Sequence, residues 1–343
     1  MIKPDITWAR FAGAILSVFL ITFTLHAVRG GSSAAPDYEC VLEGQEVDVQ
    51  VPAGSSGSAL AKILVGAGVT KSESAYFRLA VADKRSEQVA PGSHTLTAQN
   101  CASNVLDELL DSKRIKDLIT IVEGAWNSEI AAQMVKAGFS GEEVKSAMRS
   151  YEIPDGFKSM EGLLFPALYS FDKKTTATQA LEAMVTRAMS EFDRAGIFNA
   201  SGKYSPSDLL IMASIIQAEG DTKDFSKISR VIRNRLEKGM PLQMDSTVHY
   251  IKKVRGSVFL STASTFLKSE YNTYRRYGLP PGPIGNPGAK ALKASVNPQD
   301  GDWLYFITVA PGDTRFTSSI DEFNNWKVLY KSNLRKGLFR SSK

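Results

Sequence analysis

Glu219 is the side chain whose place in the sequence points most directly to chemistry. It follows the apolar run of the segment "ASIIQAEGD" at positions 213–221. If this segment is helical, Glu219 shares a face with Ile215 and Ile216, four and three residues earlier. Lost hydration and the negative end of the helix dipole would both raise its pKa. A glutamate that keeps its proton can act as a general acid in glycosidic cleavage, although many helices simply end in exposed glutamates.

A helix over residues 206–219 is expected to position this acid. Ser205 is a suitable N-cap, Pro206 fits the first helical position, and Gly220 is a natural terminator. The nearly continuous apolar run from Leu209 indicates a helix that is buried on most sides.

Two further patterns predict elements of the core. The segment "TATQALEAMVTRAMSEFDRAG" predicts a long amphipathic helix, and "WLYFITV" at 303–309 predicts a buried strand. The apolar stripe of the long helix consists of Leu181, Met184, Ala188 and Phe192.

Polar and aromatic side chains are concentrated downstream, in a segment with five prolines at 269–298. The segment contains Tyr271, Asn272, Tyr274 and Asn286. Proline stiffens a loop, and amides with aromatic faces suit a sugar, which needs hydrogen-bond partners and flat stacking surfaces. A purely structural loop is the alternative.

The N-terminal segment predicts a membrane anchor. Residues 11–28 carry no formal charge, and eighteen helical residues span about 27 Å, close to the thickness of a bilayer core. Lys3 and Arg10 favour a cytoplasmic tail at residues 1–10, so the remaining chain would lie outside the cytoplasmic membrane. A cleaved signal peptide is the alternative, because small residues follow the apolar segment.

Beyond a predicted spacer at 29–45, the pattern indicates a small module at 46–112 with the order strand, helix, helix, strand. Cys40 and Cys101 are the only cysteines of the chain. Outside the cytoplasm they would be able to form a disulfide; two buried free thiols are the alternative.

Composition argues against several classes of protein. His26, His94 and His249 are scattered without the spacing of metal ligands, and the "GAG" at 66–68 lacks the context of a dinucleotide site. The net charge of +5 is too modest to indicate a nucleic-acid partner. We therefore expect no metal, no cofactor and no nucleic acid.

Seven short motifs together resemble the endolytic murein transglycosylases of the YceG-like family. In chain order they read "EGLLFP", "ASIIQAE", "RNRL", "LQMDSTVHY", "YNTY", "GLPPGPIGNPG" and "LYF". Each is weak alone, but their order and spacing are specific, and the resemblance covers nearly the whole chain. It implies that 46–112 is a LysM-like module, which suggests glycan affinity, and that 113–335 is the catalytic domain. A small spacer domain is the alternative for 46–112, and the basic residues at the C-terminus indicate a solvated tail at 336–343.

The resemblance also implies roles for individual residues. The catalytic glutamate of the family falls on Glu219, while the acid of the "EG…FP" motif falls on Glu161. Matches to the cleft motifs, and hence expected substrate-binding residues, are Gln243, Asp245, Tyr271, Asn272, Tyr274 and Asn286. The chain departs from the family pattern at Ala167, Glu270, Arg315 and Phe323.

The sequence thus predicts an α+β protein with an N-terminal transmembrane helix, a LysM-like βααβ module and a mixed α/β catalytic domain. The resemblance implies a lytic transglycosylase that acts on peptidoglycan strands at the membrane and is able to partner peptidoglycan synthases. Two alternatives remain: a non-catalytic glycan-binding scaffold and a lysozyme-like hydrolase.

Overall fold

The structure, a computed structural model, describes most of the chain. The described residues are 35–52, 54–171, 174–200, 202–255 and 260–339. The predicted cytoplasmic tail and anchor at 1–28 lie outside these ranges. Within them, no helix combines the length and the hydropathy that a membrane span requires.

The chain divides into two compact units. The first reaches to Ala90 and includes His94–Arg114, and the second comprises Pro91–Ser93 and the chain from Ile115 onward. The boundary predicted between residues 112 and 113 lies close to this division.

In its described residues, the first unit contains a two-stranded sheet and three α-helices. Strand β1 (Glu46–Val51) pairs with β2 (Gly92–Thr97), and α1 (Gly57–Gly66) and α2 (Glu73–Ala82) come between them in the chain. Helix α3 (Ala102–Leu110) follows β2. Every element contributes apolar side chains to one core, among them Val49, Leu64, Tyr76, Leu96 and Leu106.

A disulfide joins Cys40 to Cys101 across a sequence separation of 61 residues. Cys101 is the buried N-cap residue of α3, whereas Cys40 is exposed and belongs to the predicted spacer. The next residue is also held, because the Val41 amide donates to Asn100 Oδ1 at 2.9 Å. The end of the spacer is therefore fixed to the first unit.

The second unit is built around four helices. Helix α10 (Ala289–Val296) packs against α6 (Ala177–Ala195), α7 (Pro206–Glu219) and α8 (Phe225–Glu237). The other α-helices and strands among its described residues are β3 (Ile119–Thr120), α4 (Asn127–Lys136), α5 (Gly141–Ser150), β4 (Leu168–Tyr169), α9 (Asp245–Lys252), β5 (Tyr305–Ala310), β6 (Asp313–Thr317) and α11 (Ile320–Arg335). Strands β3 and β4 pair antiparallel, as do β5 and β6.

The helix that carries Glu219 begins and ends where the sequence predicts. The Ser205 hydroxyl accepts the Asp208 amide N–H at 3.2 Å, and Pro206 is the first helical residue. Every residue from Leu209 to Ile216 is buried, so the apolar run is enclosed on all sides. Gly220 ends the helix in an extended conformation with φ −161°, and the left-handed cap common at glycine is not used.

The two predicted core elements differ in outcome. The stripe of α6 is confirmed, since Leu181, Met184, Ala188 and Phe192 are each 0% exposed. The prediction of a buried strand at 303–309 is wrong in its burial. Strand β5 forms, but Val309 is its only buried residue, because the hairpin has just two strands and α11, which packs on it, buries none of its own residues.

The disulfide yields a prediction about the first unit. Replacing Cys40 and Cys101 together by Ser should lower its free energy of unfolding by about 4 kcal/mol, because the unfolded chain regains the freedom of the open loop. Amide hydrogen exchange of α1 to α3 measures this change. A reductant should not accelerate hydrogen exchange any further in the double variant. Equal acceleration of exchange in α6 and α10 would contradict an effect confined to the first unit.

Candidate active site

Glu219 is the last residue of α7, and its carboxyl group meets the first turn of α9. The Ser246 amide N–H donates to Glu219 Oε1 at 3.0 Å. Ser246 is the second residue of α9, so the carboxyl lies at the electropositive end of that helix. It also lies at the electronegative end of its own helix. Two helix ends of opposite sign therefore act on one carboxyl group.

Burial raises the pKa of Glu219 above the ordinary value of a glutamate. The hydrogen bond from Ser246 and the charge of His249 work in the opposite direction, while the negative charge of Asp245 raises the pKa further. Lost hydration is the largest contribution, so the net shift is upward. The sequence predicted the upward shift of the Glu219 pKa, but it did not predict that the N-terminal end of α9 would oppose it.

Asp245 and Tyr274 form a polar pair that interacts electrostatically with Glu219. Asp245 is the exposed first residue of α9, and its Oδ1 accepts the hydroxyl of Tyr274. Burial raises the pKa of the Tyr274 phenol, and the hydrogen bond and the negative charges of Asp245 and Glu219 raise it further. Tyr274 therefore stays protonated and donates to Asp245.

A second acidic side chain, Glu161, contacts α9 near the other end of that helix. Its Oε1 accepts the Asn127 amide N–H, and its Oε2 accepts the Tyr250 hydroxyl, both at 3.0 Å. Burial raises the pKa of Glu161, and these hydrogen bonds together with the charge of Lys253 oppose that rise. Tyr250 comes one helical turn after Ser246, about 6 Å along the axis. Helix α9 therefore holds one glutamate at each end.

Aromatic rings surround the Glu161 end of α9. The ring of Tyr271 lies 5.2 Å from that of Tyr250, and Trp126 meets Tyr250 edge-on at 6.0 Å. The Tyr271 hydroxyl reaches the backbone of Gly282, where an added Cβ would lie 3.0 Å from it. Lys253 Nζ covers the Tyr250 ring at 3.6 Å from its centroid. These contacts combine flat apolar faces with polar edges, as sugar recognition requires.

Gln243 stands two residues before α9 in an unusual conformation. Its φ is 51°, in the left-handed region that non-glycine residues rarely adopt. Its backbone amide donates to the Thr273 carbonyl at 3.0 Å. Its side chain is exposed, and the side-chain Oε1 accepts a hydrogen bond from a terminal nitrogen of Arg235 at 3.4 Å. The strained backbone marks a position that the surrounding structure holds in place.

Asn286 is completely buried and joins three loops. Its Oδ1 accepts the Leu164 amide at 2.8 Å, and its Nδ2 donates to Ala125 O and to Asn127 Oδ1, each at 2.8 Å. Its own carbonyl accepts the Gly124 amide at 2.7 Å. With no surface open to a ligand in this structure, Asn286 positions the start of α4, which carries the Asn127 donor of the Glu161 carboxylate.

Asn272 has a similar place in its own loop. It is 0% exposed, and its Nδ2 donates to the carbonyls of Thr265 and Leu267 at 3.0 and 2.8 Å. Its Oδ1 accepts the Tyr274 amide at 3.1 Å. Asn272 therefore fixes Tyr274, and its side chain offers no free amide to a sugar in this conformation.

Glycines allow the loops to approach one another closely. Gly285 has φ 155°, and a Cβ there would lie 2.7 Å from the Gly124 carbonyl oxygen. Gly162 has φ 90°, and a Cβ there would lie 2.9 Å from Pro283. The loop at 278–288 is also tied to α7, because the Ile284 amide donates to Ser214 Oγ at 3.0 Å.

The structure brings the predicted residues together in two groups along α9. Glu219, Asp245 and Tyr274 lie at its first turn, and Glu161 and Tyr271 surround its last turn. Reasoning from the sequence missed several contributors: Asn127, Arg235, Ser246 and Tyr250. A helical spacing of four inside "LQMDSTVHY" offered a signal for Ser246 and Tyr250, whereas nothing local identified Asn127. In the part of the chain that the structure describes, no three His, Cys, Asp or Glu side chains are placed to hold a metal ion.

Comparison with known proteins gives consistent results. A protein of Bacillus subtilis (strain 168) named endolytic murein transglycosylase is 33% identical over 309 residues, which cover 83% of this chain and 85% of that protein. One of the same name from Streptococcus pneumoniae serotype 2 (strain D39 / NCTC 7466) is 34% identical over 161 residues, 43% of this chain and 28% of its own.

A solved structure is similar as well. The crystal structure of a yceG-like protein from Listeria monocytogenes matches with a TM-score of 0.54 and 27% identity, over 82% of this chain and 98% of that one. The model of the YceG-like family matches residues 49–328, most of the described chain. This chain belongs to the YceG-like family.

Proposed function

We propose that this protein is an endolytic lytic transglycosylase that cleaves the β-1,4 bond between N-acetylmuramic acid and N-acetylglucosamine in peptidoglycan strands. One observation carries the proposal. Glu219 combines a raised pKa with an amide donor from Ser246 at 3.0 Å. Such a carboxyl group can hold a proton before the reaction and is stabilised as an anion after giving it up. The names of the B. subtilis and S. pneumoniae relatives support the same activity.

The reaction needs only one carboxyl group that acts twice. Glu219 donates its proton to the bridging oxygen as the bond from that oxygen to C1 of N-acetylmuramic acid breaks. The oxocarbenium-like or acetamido-assisted centre at C1 is then attacked by the C6 hydroxyl of the same sugar. The Glu219 carboxylate takes the proton of that hydroxyl, so the acid is regenerated. The products are a 1,6-anhydromuramoyl end and an N-acetylglucosamine end with a free 4-hydroxyl, and no water is consumed.

Neighbouring side chains can assist Glu219 in this reaction. Asp245 carries a negative charge beside Glu219 and is oriented by the Tyr274 hydroxyl, so it can stabilise positive charge that develops at C1. Glu161, with its raised pKa, and Tyr271 lie one helical turn away, which supports a role for both in binding an adjacent sugar. Asn272 and Asn286 act behind them by fixing the loops.

The wider proposal concerns where the protein works. Residues 11–28 would anchor it in the cytoplasmic membrane with the N-terminus inside, and the unit with the order βααβ would be a LysM-like module that binds glycan. In that position the enzyme would cut strands as they emerge, end their elongation and work beside peptidoglycan synthases. A scaffold without activity and a lysozyme-like hydrolase are the alternatives.

Replacement of Glu219 by Gln tests the catalytic assignment. The variant cannot donate a proton, so we expect the rate of anhydro-end formation from purified glycan strands to fall at least a hundredfold. Mass spectrometry of the fragments measures it, since an anhydro end is one water lighter than a reducing end. Glu182→Gln, an exposed change on α6, should leave the rate unaltered. Equal release by wild type and Glu219→Gln would exclude this enzyme function, and reducing ends would favour the hydrolase.

The pH dependence tests the electrostatics. Activity should persist while Glu219 is protonated and decline as pH rises through its pKa, which burial places above that of an ordinary glutamate. Asp245→Asn removes a negative charge that raises this pKa, so the alkaline limb should move to lower pH. The variant retains an oxygen that can accept the Tyr274 hydroxyl. An alkaline limb that stays in place, or moves upward, would contradict the coupling.

The anchor has its own test. A variant in which a cleavable signal peptide replaces residues 1–28 should appear in the soluble fraction after export and cell disruption, whereas the full chain should sediment with membranes. Cleavage of glycan strands in solution should be the same for both. Sedimentation of the shortened variant with membranes would exclude the predicted span as the anchor.

A further inference from the structure

A buried arginine, Arg235, contacts the chain that leads into α9. Arg235 of α8 is 7% exposed, and among the described residues it makes no salt bridge. Its guanidinium instead binds neutral oxygens. Nε donates to Leu304 O at 2.6 Å, and one terminal nitrogen donates to Pro241 O at 3.1 Å and to Leu242 O at 2.8 Å. The ring of Tyr305 lies 5.2 Å from the guanidinium carbon.

Burial of a cation without an ion pair costs free energy, which other interactions must offset. Desolvation lowers the pKa of Arg235, which shows that the site disfavours its charge. A buried guanidinium is tolerated where carbonyl dipoles surround it, and its planar fork binds several of them at fixed angles. In this protein the fork draws together the chain at 241–242 and the residue before β5.

The chain that Arg235 holds leads directly into α9. Pro241 and Leu242 are followed by Gln243, whose φ of 51° lies in the left-handed region that is unfavourable for a residue other than glycine. The turn is held from two sides: by Arg235 and by Thr273, whose carbonyl accepts the Gln243 amide and whose hydroxyl accepts the Met244 amide, both at 3.0 Å.

The direction of the turn decides where the first amides of α9 point. Ser246 is only four residues beyond Leu242, and its N–H is the donor that binds the Glu219 carboxyl. If the turn relaxed, the donor would move away from the carboxyl oxygen. A displacement of about 1 Å is enough to cost up to a hundredfold in rate at a catalytic group.

On the proposed function, we propose that Arg235 is a positioning residue that holds the strained 241–243 turn, so that α9 presents its first-turn amide to Glu219. Arg235 does not touch the reacting sugar in this scheme. Its effect passes through the Ser246 amide, and its loss should therefore change the state of Glu219 as well as the rate.

Arg235→Lys keeps the positive charge but loses the planar fork, since an ammonium group cannot bind the three carbonyls at the same angles. We expect kcat to fall about tenfold to a hundredfold with KM within about twofold. The Ser246 hydrogen bond lowers the pKa of Glu219. Its weakening should therefore raise that pKa and move the alkaline limb of the pH–rate profile upward, opposite to the shift expected for Asp245→Asn.

Arg233→Lys is the matched control. Arg233 lies on the same helix and donates to a carbonyl, that of Ser295 at 2.6 Å, while its guanidinium stacks on Tyr204 at 4.7 Å. It makes no contact with the 241–243 turn among the described residues. The control should lose stability comparably and keep both kcat and the position of the alkaline limb.

A titration without substrate separates this proposal from the enzyme function. Carbon-13 NMR of glutamate side-chain carboxyls, with Glu219→Gln as the assignment control, measures the pKa of Glu219 directly. A higher pKa in Arg235→Lys and an unchanged one in Arg233→Lys support the positioning role, even if wild-type protein cleaves no glycan. An unchanged Glu219 pKa in folded Arg235→Lys overturns the proposal, and an effect on KM alone would make Arg235 a substrate contact.

Discussion

The meeting of two helix ends at one carboxyl group is the constraint on which the second unit depends. The apolar run of α7 forces that helix into the core, so its last side chain emerges half-buried beside that core. A carboxyl in such a place would only be a neutral acid. The amide of Ser246 makes the ionised form accessible as well. A residue that must give up a proton and then take one needs both conditions, and the geometry supplies them from different elements.

Much of the surrounding structure keeps these helix ends in place. Asn286 and Asn272 use their buried amides to bind backbone, because a loop without regular hydrogen bonding must satisfy its polar groups with side chains. Glycines at 162 and 285 permit contacts that a Cβ would prevent. Arg235, like the two asparagines, binds backbone carbonyls and so fixes the turn before α9. The polar residues of the motifs thus divide between those that surround the two glutamates and those that fix the loops behind them.

This division explains where sequence reasoning succeeded and where it fell short. The cap at Ser205, the limits of α7 and the apolar stripe of α6 follow from local rules, and the structure confirms each of them. The burial of β5 was overestimated, because an apolar strand does not reveal how many layers cover it. Asn272 and Asn286 were expected to bind substrate, yet an amide that suits a sugar suits a backbone carbonyl equally well. Only the fold shows which partner is present.

By itself, the sequence determined the helix that carries Glu219, the direction of its pKa shift and the family to which the motifs belong. These depend on short-range periodicity, on the types of neighbouring residues and on the order of motifs. Only the tertiary structure decided that α9 would place its first turn against that carboxyl and its last turn against Glu161. It also decided that a buried arginine would hold the turn between α8 and α9. Such contacts join residues far apart in the chain, and their geometry is set by packing, which no local pattern encodes.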